Sequence, residues 1–344
     1  MTVAQAVEFG VGAAIAAAAL ADIFSTLLIP GPVSLRFSAI VLMRRVTLPL
    51  FLRAARHRSG ADRRPNNAYA PVTFMLTFLA WLLLLMLGFG LAMHAVGDRF
   101  EPRVATMADA LWITGNSLLT LGVSEFDASG IARWLILAAG MSGFAAVTAA
   151  VTFMLQLQTG LNGREPMVLL LGSVAGVPPS GIAMLEAAAE LDARDHLPRI
   201  FGEWRDWCAA TLHSHLAFQG LNYFRSVDRE NDWLTAMEAV LDAASLVIAC
   251  TGERDARGAA TMLHRIGAHT AERLCGALRL EPARARLGKA ETAALLQRLA
   301  RAGYEVRGDG AWERLRDLRG AYAPHIAALA RHLGGNRASA MGEG

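Results

Sequence analysis

The chain reads as an all-α membrane protein: three transmembrane helices, a re-entrant helix and loop between the last two, then an all-helical polar domain. Two observations carry that reading. Val3 to Ile29, Val72 to Val96 and Ile131 to Leu157 are apolar runs that each reach the roughly 20 residues needed to cover about 30 Å of hydrocarbon. The chain of 344 residues is 54% hydrophobic, with a mean hydropathy of +0.34, yet turns polar and helically periodic from Asn162 onward.

The first run and the connector after it set the expected sidedness. Arg36, Arg44, Arg45, Arg53, Arg56, Arg58, Arg63 and Arg64 stand between the first two runs against one acid, Asp62. The positive-inside rule places that connector in the cytoplasm and the N-terminus outside. No Lys or Arg precedes Arg36, which argues against a cleaved signal peptide. Residues 1–71 are therefore read as one span plus a basic amphipathic connector. Within it, Val33 to Arg58 alternates arginines with Leu35, Ile40, Leu42, Val46 and Leu50, and is expected to lie along the inner leaflet, drawn by anionic lipid.

Residues 72–160 form the second region, with an outer helix at 72–96 and an inner helix at 131–158. The segment between them faces outside. Asp98 to Arg103 is a polar turret. Thr106 to Leu119 has helical character, with Met107, Ala110, Leu111 and Trp112 as packing positions and Asp109 near the positive helix end. A helix entering from outside aims its partly negative end at the bilayer centre, which favours a cation. Non-helical backbone at that depth, Thr120 to Ser124, must line water.

The run Ala110-Leu111-Trp112-Ile113-Thr114-Gly115-Asn116-Ser117-Leu118-Leu119-Thr120-Leu121-Gly122-Val123-Ser124-Glu125 resembles the pore helix and selectivity filter of the potassium channel superfamily. Ser117, Thr120, Gly122 and Glu125 match that pattern identically or conservatively, while Val123 and Ser124 replace its aromatic residue and its second glycine. The wider chain is similar to a bacterial group of channel proteins with one extra helix before the two-helix pore unit. Ala21 to Leu28 with Pro30-Gly31-Pro32, Asn222 to Ser226, Trp233 and Leu241 to Ala244 carry that similarity.

The resemblance implies a homotetramer that conducts potassium or other monovalent cations through a filter of Thr120, Leu121, Gly122, Val123 and Ser124. It places Glu125 and Asp127 as an acidic outer mouth at the end of residues 106–125, and Gly140 and Gly143 as the bend of the inner helix. Thr148 and Thr152 are expected to face the cavity. Membrane lipid is the expected surrounding, the permeant ion the expected ligand, and neither another cofactor nor a bound metal is expected.

Residues 161–333 are read as a helical cytoplasmic domain and 334–344 as a tail. Expected helices run over Ile182 to Leu197, Ile200 to Gln219, Trp233 to Cys250, Gly258 to Leu280, Lys289 to Gly303 and Ala311 to Leu333. Leu234 to Cys250 is apolar enough for a fourth span, but Glu238 and Asp242 one turn apart would need partners in lipid, so a buried protein helix is expected. Asp22, an acid inside a span, is expected to pair with Arg36 or Arg44. His94 is expected to be solvated near the outer interface. His213 and His215 lack the rest of a ligand set, and Cys208, Cys250 and Cys275 are expected to pack as small hydrophobes.

The domain carries no dinucleotide fingerprint, P-loop or nucleophile elbow, so no enzyme is expected. A net charge of +3 gives no reason to expect nucleic acid. An unidentified cytoplasmic ligand stays open. The alternatives are a non-conducting membrane receptor and a membrane-anchored enzyme or scaffold acting through residues 162–333.

Overall fold

The computed structural model describes residues 1–27, 39–56, 69–122, 125–224, 226, 231–284 and 287–333. The Pro30-Gly31-Pro32 turn, Val123, Ser124, Arg225 and the 334–344 tail lie outside that set. The chain divides into two compact units, Met1–Phe51 with Ala68–Gln156 and Leu52–Asn67 with Leu157–Gly344. The boundary cuts two helices, after Phe51 and after Gln156.

The first unit holds α1 (Val3–Leu27), α2 (Ala39–Arg56, to Phe51), α3 (Tyr69–Ala95), α4 (Met107–Leu118) and the start of α5 (Ile131–Ala175). Two short strands, β1 (Phe100–Glu101) and β2 (Asp127–Ala128), pair antiparallel. Small residues bring α1 and α3 together. A Cβ on Gly12 would stand 2.5 Å from the Gly88 carbonyl oxygen, and one on Gly88 would stand 2.7 Å from the Ala16 nitrogen. Such backbone approach is how helices pack where lipid is as apolar as leucine.

Polar rungs fix the register. His94 Nδ1 lies 2.7 Å from Glu8 Oε1, so this histidine has a carboxylate partner besides solvent. Further along, Trp81 donates its indole N–H to Asp22 Oδ2 at 2.7 Å. The same oxygen accepts the Ala39 N–H at 2.8 Å, which makes Asp22 an acceptor for the first turn of α2. Arg36 and the side chain of Arg44, the partners expected for Asp22, are not among the described groups. The helix described in the connector, α2, runs against α3: the Thr47 and Thr73 hydroxyls meet at 3.1 Å.

The second unit holds the later turns of α5, then α6 (Gly181–Glu190), α7 (Leu197–Ala217), α8 (Trp233–Cys250), α9 (Arg254–Ala277), α10 (Lys289–Arg301), α11 (Ala311–Gly320) and α12 (Ala323–His332). Of the boundaries that differ from expectation, three change the element itself. The inner helix continues past 158 to Ala175 and takes in most of an apolar run at Met167 to Val177, with Pro166 accommodated within the helix and a left-handed Gly176 after its end. The helix expected to reach Leu197 ends at Glu190, where Asp192 turns left-handed at φ 51°, and Pro198 opens α7. The last expected helix is two, parted at Ala321 and Tyr322.

Among the described residues, four helices are long and apolar enough to cross a membrane: α1, Pro71–Ala95 of α3, α5 and α8. Burial separates them. The first three windows are 28%, 39% and 28% buried within the protein, whereas α8 is 89% buried. Helix α8 is thus the core of the second unit, enclosed by α6, α7, α9, α11 and α12.

Candidate functional site

The loop after α4 is built from both ends. Thr106 caps the helix, accepting the Asp109 N–H at 3.2 Å and donating to Asp109 Oδ2 at 2.7 Å. Ala110, Ile113, Thr114 and Ser117 form the buried face. Trp112, expected to pack, falls opposite that stripe and is 60% exposed. Leu111 fills the space above Gly90, whose missing Cβ would lie 2.7 Å from Leu111 Cδ2.

The helix then stops in a Schellman arrangement. Leu121 N–H reaches back to the Asn116 carbonyl at 2.9 Å and Thr120 N–H to the Ser117 carbonyl at 3.0 Å. That geometry requires a left-handed residue, normally glycine, and here Thr120 supplies it at φ 55°. Gly122 is left-handed again at φ 88°. Two positive-φ residues thus flank Leu121. Leu119 and Leu121 are 54% and 72% exposed, so both are more than half uncovered by the described residues.

Glu125 and Asp127 are both exposed beyond the loop. Asp127 pairs with Glu101 across the two strands, and Ser129 N–H binds the Arg99 carbonyl at 2.9 Å. The segment leaving the loop is thereby fastened to the segment that precedes α4.

Gly140 and Gly143 of α5 sit against the end of α4. A Cβ on Gly143 would collide with the Leu118 carbonyl oxygen, and one on Gly140 would stand 3.3 Å from the Ser117 carbonyl oxygen. Helix α5 runs unbroken through both. Their smallness therefore has a packing cause. Thr148 and Thr152 lie on the exposed side of α5, opposite Gly143, Ala146 and Ala150.

Two buried ionic centres lie in the second unit; the first carried no signal in the sequence, and the second showed only in the two acids of α8 that need partners. In the first, Arg164 of α5, 2% exposed, donates to Glu165 Oε1 at 2.9 and 2.7 Å and to the Phe224 carbonyl at 3.0 Å. It lies 5.2 Å from the Trp233 ring centroid. Its Nη1 is 3.3 Å from His215 Nε2. A guanidinium only donates, so that nitrogen accepts, and His215 Nδ1–H donates to Asn222 Oδ1 at 2.9 Å. Burial first, and Arg164 second, lower the His215 pKa to about 3, keeping the ring neutral. Phe224, Ser226 and Trp233 thus meet Arg164 or Glu165, and Asn222 holds the histidine that faces Arg164.

The second centre answers the need for partners at Glu238 and Asp242. Arg319 donates to Asp242 Oδ1 at 2.8 Å and to Glu238 Oε1 at 3.2 Å. Tyr322 gives a further, short hydrogen bond to Asp242 and lies 3.2 Å from Ser245 Oγ. Burial raises the Asp242 pKa against the opposing pull of Arg319 and Tyr322. Cys208, Cys250 and Cys275 are all buried, and burial raises the Cys208 thiol to about 12.

Geometry thus defines an all-α protein with helices of membrane-spanning length and a short capped helix whose exposed loop carries alternating left-handed backbone. No family model, curated protein or solved structure matches the chain.

Proposed function

We propose that the protein is one subunit of a homotetrameric cation channel in the cell membrane, with Thr120 to Ser124 as its filter. The observation that carries this is the backbone alternation after α4: left-handed Thr120 and Gly122 around Leu121. A filter strips the hydration shell of an ion with successive carbonyl oxygens turned to one side, and alternating handedness is the backbone device that turns them. A single chain encloses no ion, so the loop needs symmetry mates, and its uncovered Leu119 and Leu121 suit such a setting.

Three further features support the reading. The basic connector argues for a cytoplasmic second unit and an external loop. Glu125 and Asp127, exposed beside the loop, would concentrate cations there. Thr148 and Thr152 put hydroxyls on the exposed face of an otherwise apolar stretch of α5, as a water-lined path requires. Val123 and Ser124 set the expected selectivity below that of a filter with an aromatic brace and two glycines.

Flux in liposomes tests the proposal. Reconstituted full-length protein should pass K⁺ down an imposed gradient, and Gly122→Asp should abolish it, since an aspartate at φ 88° is strained and its charge would stand in the path. Comparable Na⁺ flux would mark a weakly selective pore. A stable tetramer with no flux for either ion, at any membrane potential, would turn the reading toward a receptor acting through the helical domain.

A further inference from the structure

The connector helix α2 has an unexplained start. An α-helix beginning in water has its first N–H groups hydrated, yet the first turn of α2 is bound by a buried carboxylate, Asp22, which Trp81 also holds. Where that start lies along the bundle can be read from the rungs. Glu8 and His94 mark one end of the apolar stretches of α1 and α3. From Glu8 to Asp22, and from His94 to Trp81, the rise is about 20 Å at 1.5 Å per residue. A hydrocarbon core of about 30 Å leaves roughly 10 Å beyond Asp22. Thr47 and Thr73 meet eight residues further along both α2 and α3, another 12 Å or so.

The first turns of α2 therefore lie at hydrocarbon depth. Leu42 and Val46, one turn apart, are 54% and 49% exposed there, and Leu50, the next on the same stripe and 53% exposed, falls beyond the hydrocarbon at about 16 Å below Ala39. Four arginines and no acid stand in α2: Arg44, Arg45, Arg53 and Arg56. Arg45, which is exposed, falls about 9 Å below Ala39, near the expected inner boundary.

We propose that α2 enters the inner leaflet alongside α3 and binds phospholipid, with acyl chains on Leu42 and Val46, and Leu50 and the arginines at the level of anionic head groups. Asp22 makes this possible: it accepts a hydrogen bond from a helix start that lipid could not satisfy, and its charge complements the positive helix end. Charge complementarity selects lipid over a protein partner, because the apolar stripe ends in basic residues at the depth of the phosphates. The inference rests on the membrane reading of α1 and α3 and is independent of conduction.

Nitroxide labels on Leu42→Cys, Val46→Cys and Leu50→Cys in the full chain, reconstituted in phosphatidylcholine with phosphatidylglycerol, test it. The three native cysteines are buried. Collision with oxygen and with a water-soluble nickel chelate should grade the sites, each about 6 Å shallower than the one before, with Leu42 deepest. Equal depths would mean a helix lying flat on the surface, and nickel access at all three would mean a helix in water. Either overturns the proposal. Spin-labelled phosphatidylglycerol should broaden a label at Leu50 at least twofold more than phosphatidylcholine does, and equal broadening would refute head-group selection. Asp22→Leu should move the Leu42 label outward, and no movement would refute the role given to Asp22; the depth series itself needs no change at that residue.

Discussion

Helices α5 and α8 are both apolar enough to cross a membrane, yet they are buried by different means. The window in α8 is 89% enclosed by protein and that in α5 only 28%. In the first unit, association relies on small residues and a few polar rungs, and most apolar surface stays uncovered. In the second, a helix carrying two acids is accepted into the core because Arg319 arrives from 77 residues away. Apolarity alone does not say which solvent a helix has. The fate of its charged residues does.

The sharpest way to break that contrast is to remove the arginine. Arg319→Leu strands Asp242 and Glu238 in the core and should cost the second unit about 3–5 kcal/mol, read as a lowered unfolding midpoint of the full-length protein. Adding Asp242→Leu and Glu238→Gln should restore much of the loss. If Arg319→Leu alone were neutral, the two acids would not depend on it.

The matching experiment in the first unit adds bulk instead. Gly143→Val drives a side chain into the Leu118 backbone and should cost about 1–3 kcal/mol, with α4 displaced and flux lost. Gly163, on the same helix, meets nothing within 4 Å, and Gly163→Ala should be neutral or stabilising. Equal effects at both glycines would contradict the close fit of α4 on α5.

The second unit should also respond to pH through His215. Its folded pKa is depressed to about 3 from an ordinary 6.5, so the unfolded chain takes up the proton first. Stability from this residue is complete above pH 6.5 and falls as pH drops toward 3. Between pH 7 and 5 the loss should be about 2 kcal/mol, seen as the difference between wild type and His215→Gln. Asp242, whose pKa is raised, contributes the opposite slope to both proteins and cancels in that difference. A difference that does not change with pH would mean that the buried ring accepts a proton.

Much of the fold was legible in the chain. Span lengths, the start of α4 at Thr106 and Asp109, and α8 as a buried helix all arise from local patterns of capping and apolar spacing. Partners distant in sequence do not. Asp22 signalled a need, but its donors were an indole 59 residues away and a backbone N–H, neither of which leaves a charge pattern to read. Likewise Arg164 looks like one more solvated arginine until α7 and α8 close around it. The end of α4 was hidden differently: its left-handed cap is a threonine, a residue that carries no turn signal.

That threonine gives the smallest and most discriminating prediction. A β-branched side chain in the left-handed region is disfavoured by roughly 1–2 kcal/mol, and glycine there is free of the clash. Thr120→Gly should therefore raise the thermal midpoint of the first unit by an amount equivalent to about 1 kcal/mol or less, once the greater chain entropy of glycine is offset. Its hydroxyl now bonds the Leu119 carbonyl at 2.8 Å and would be lost. A more stable protein with altered ion flux would show that the strain at Thr120 is retained for conduction. A more stable protein with unchanged flux would assign Thr120 to the helix cap alone and move the filter's working positions to Leu121 and beyond.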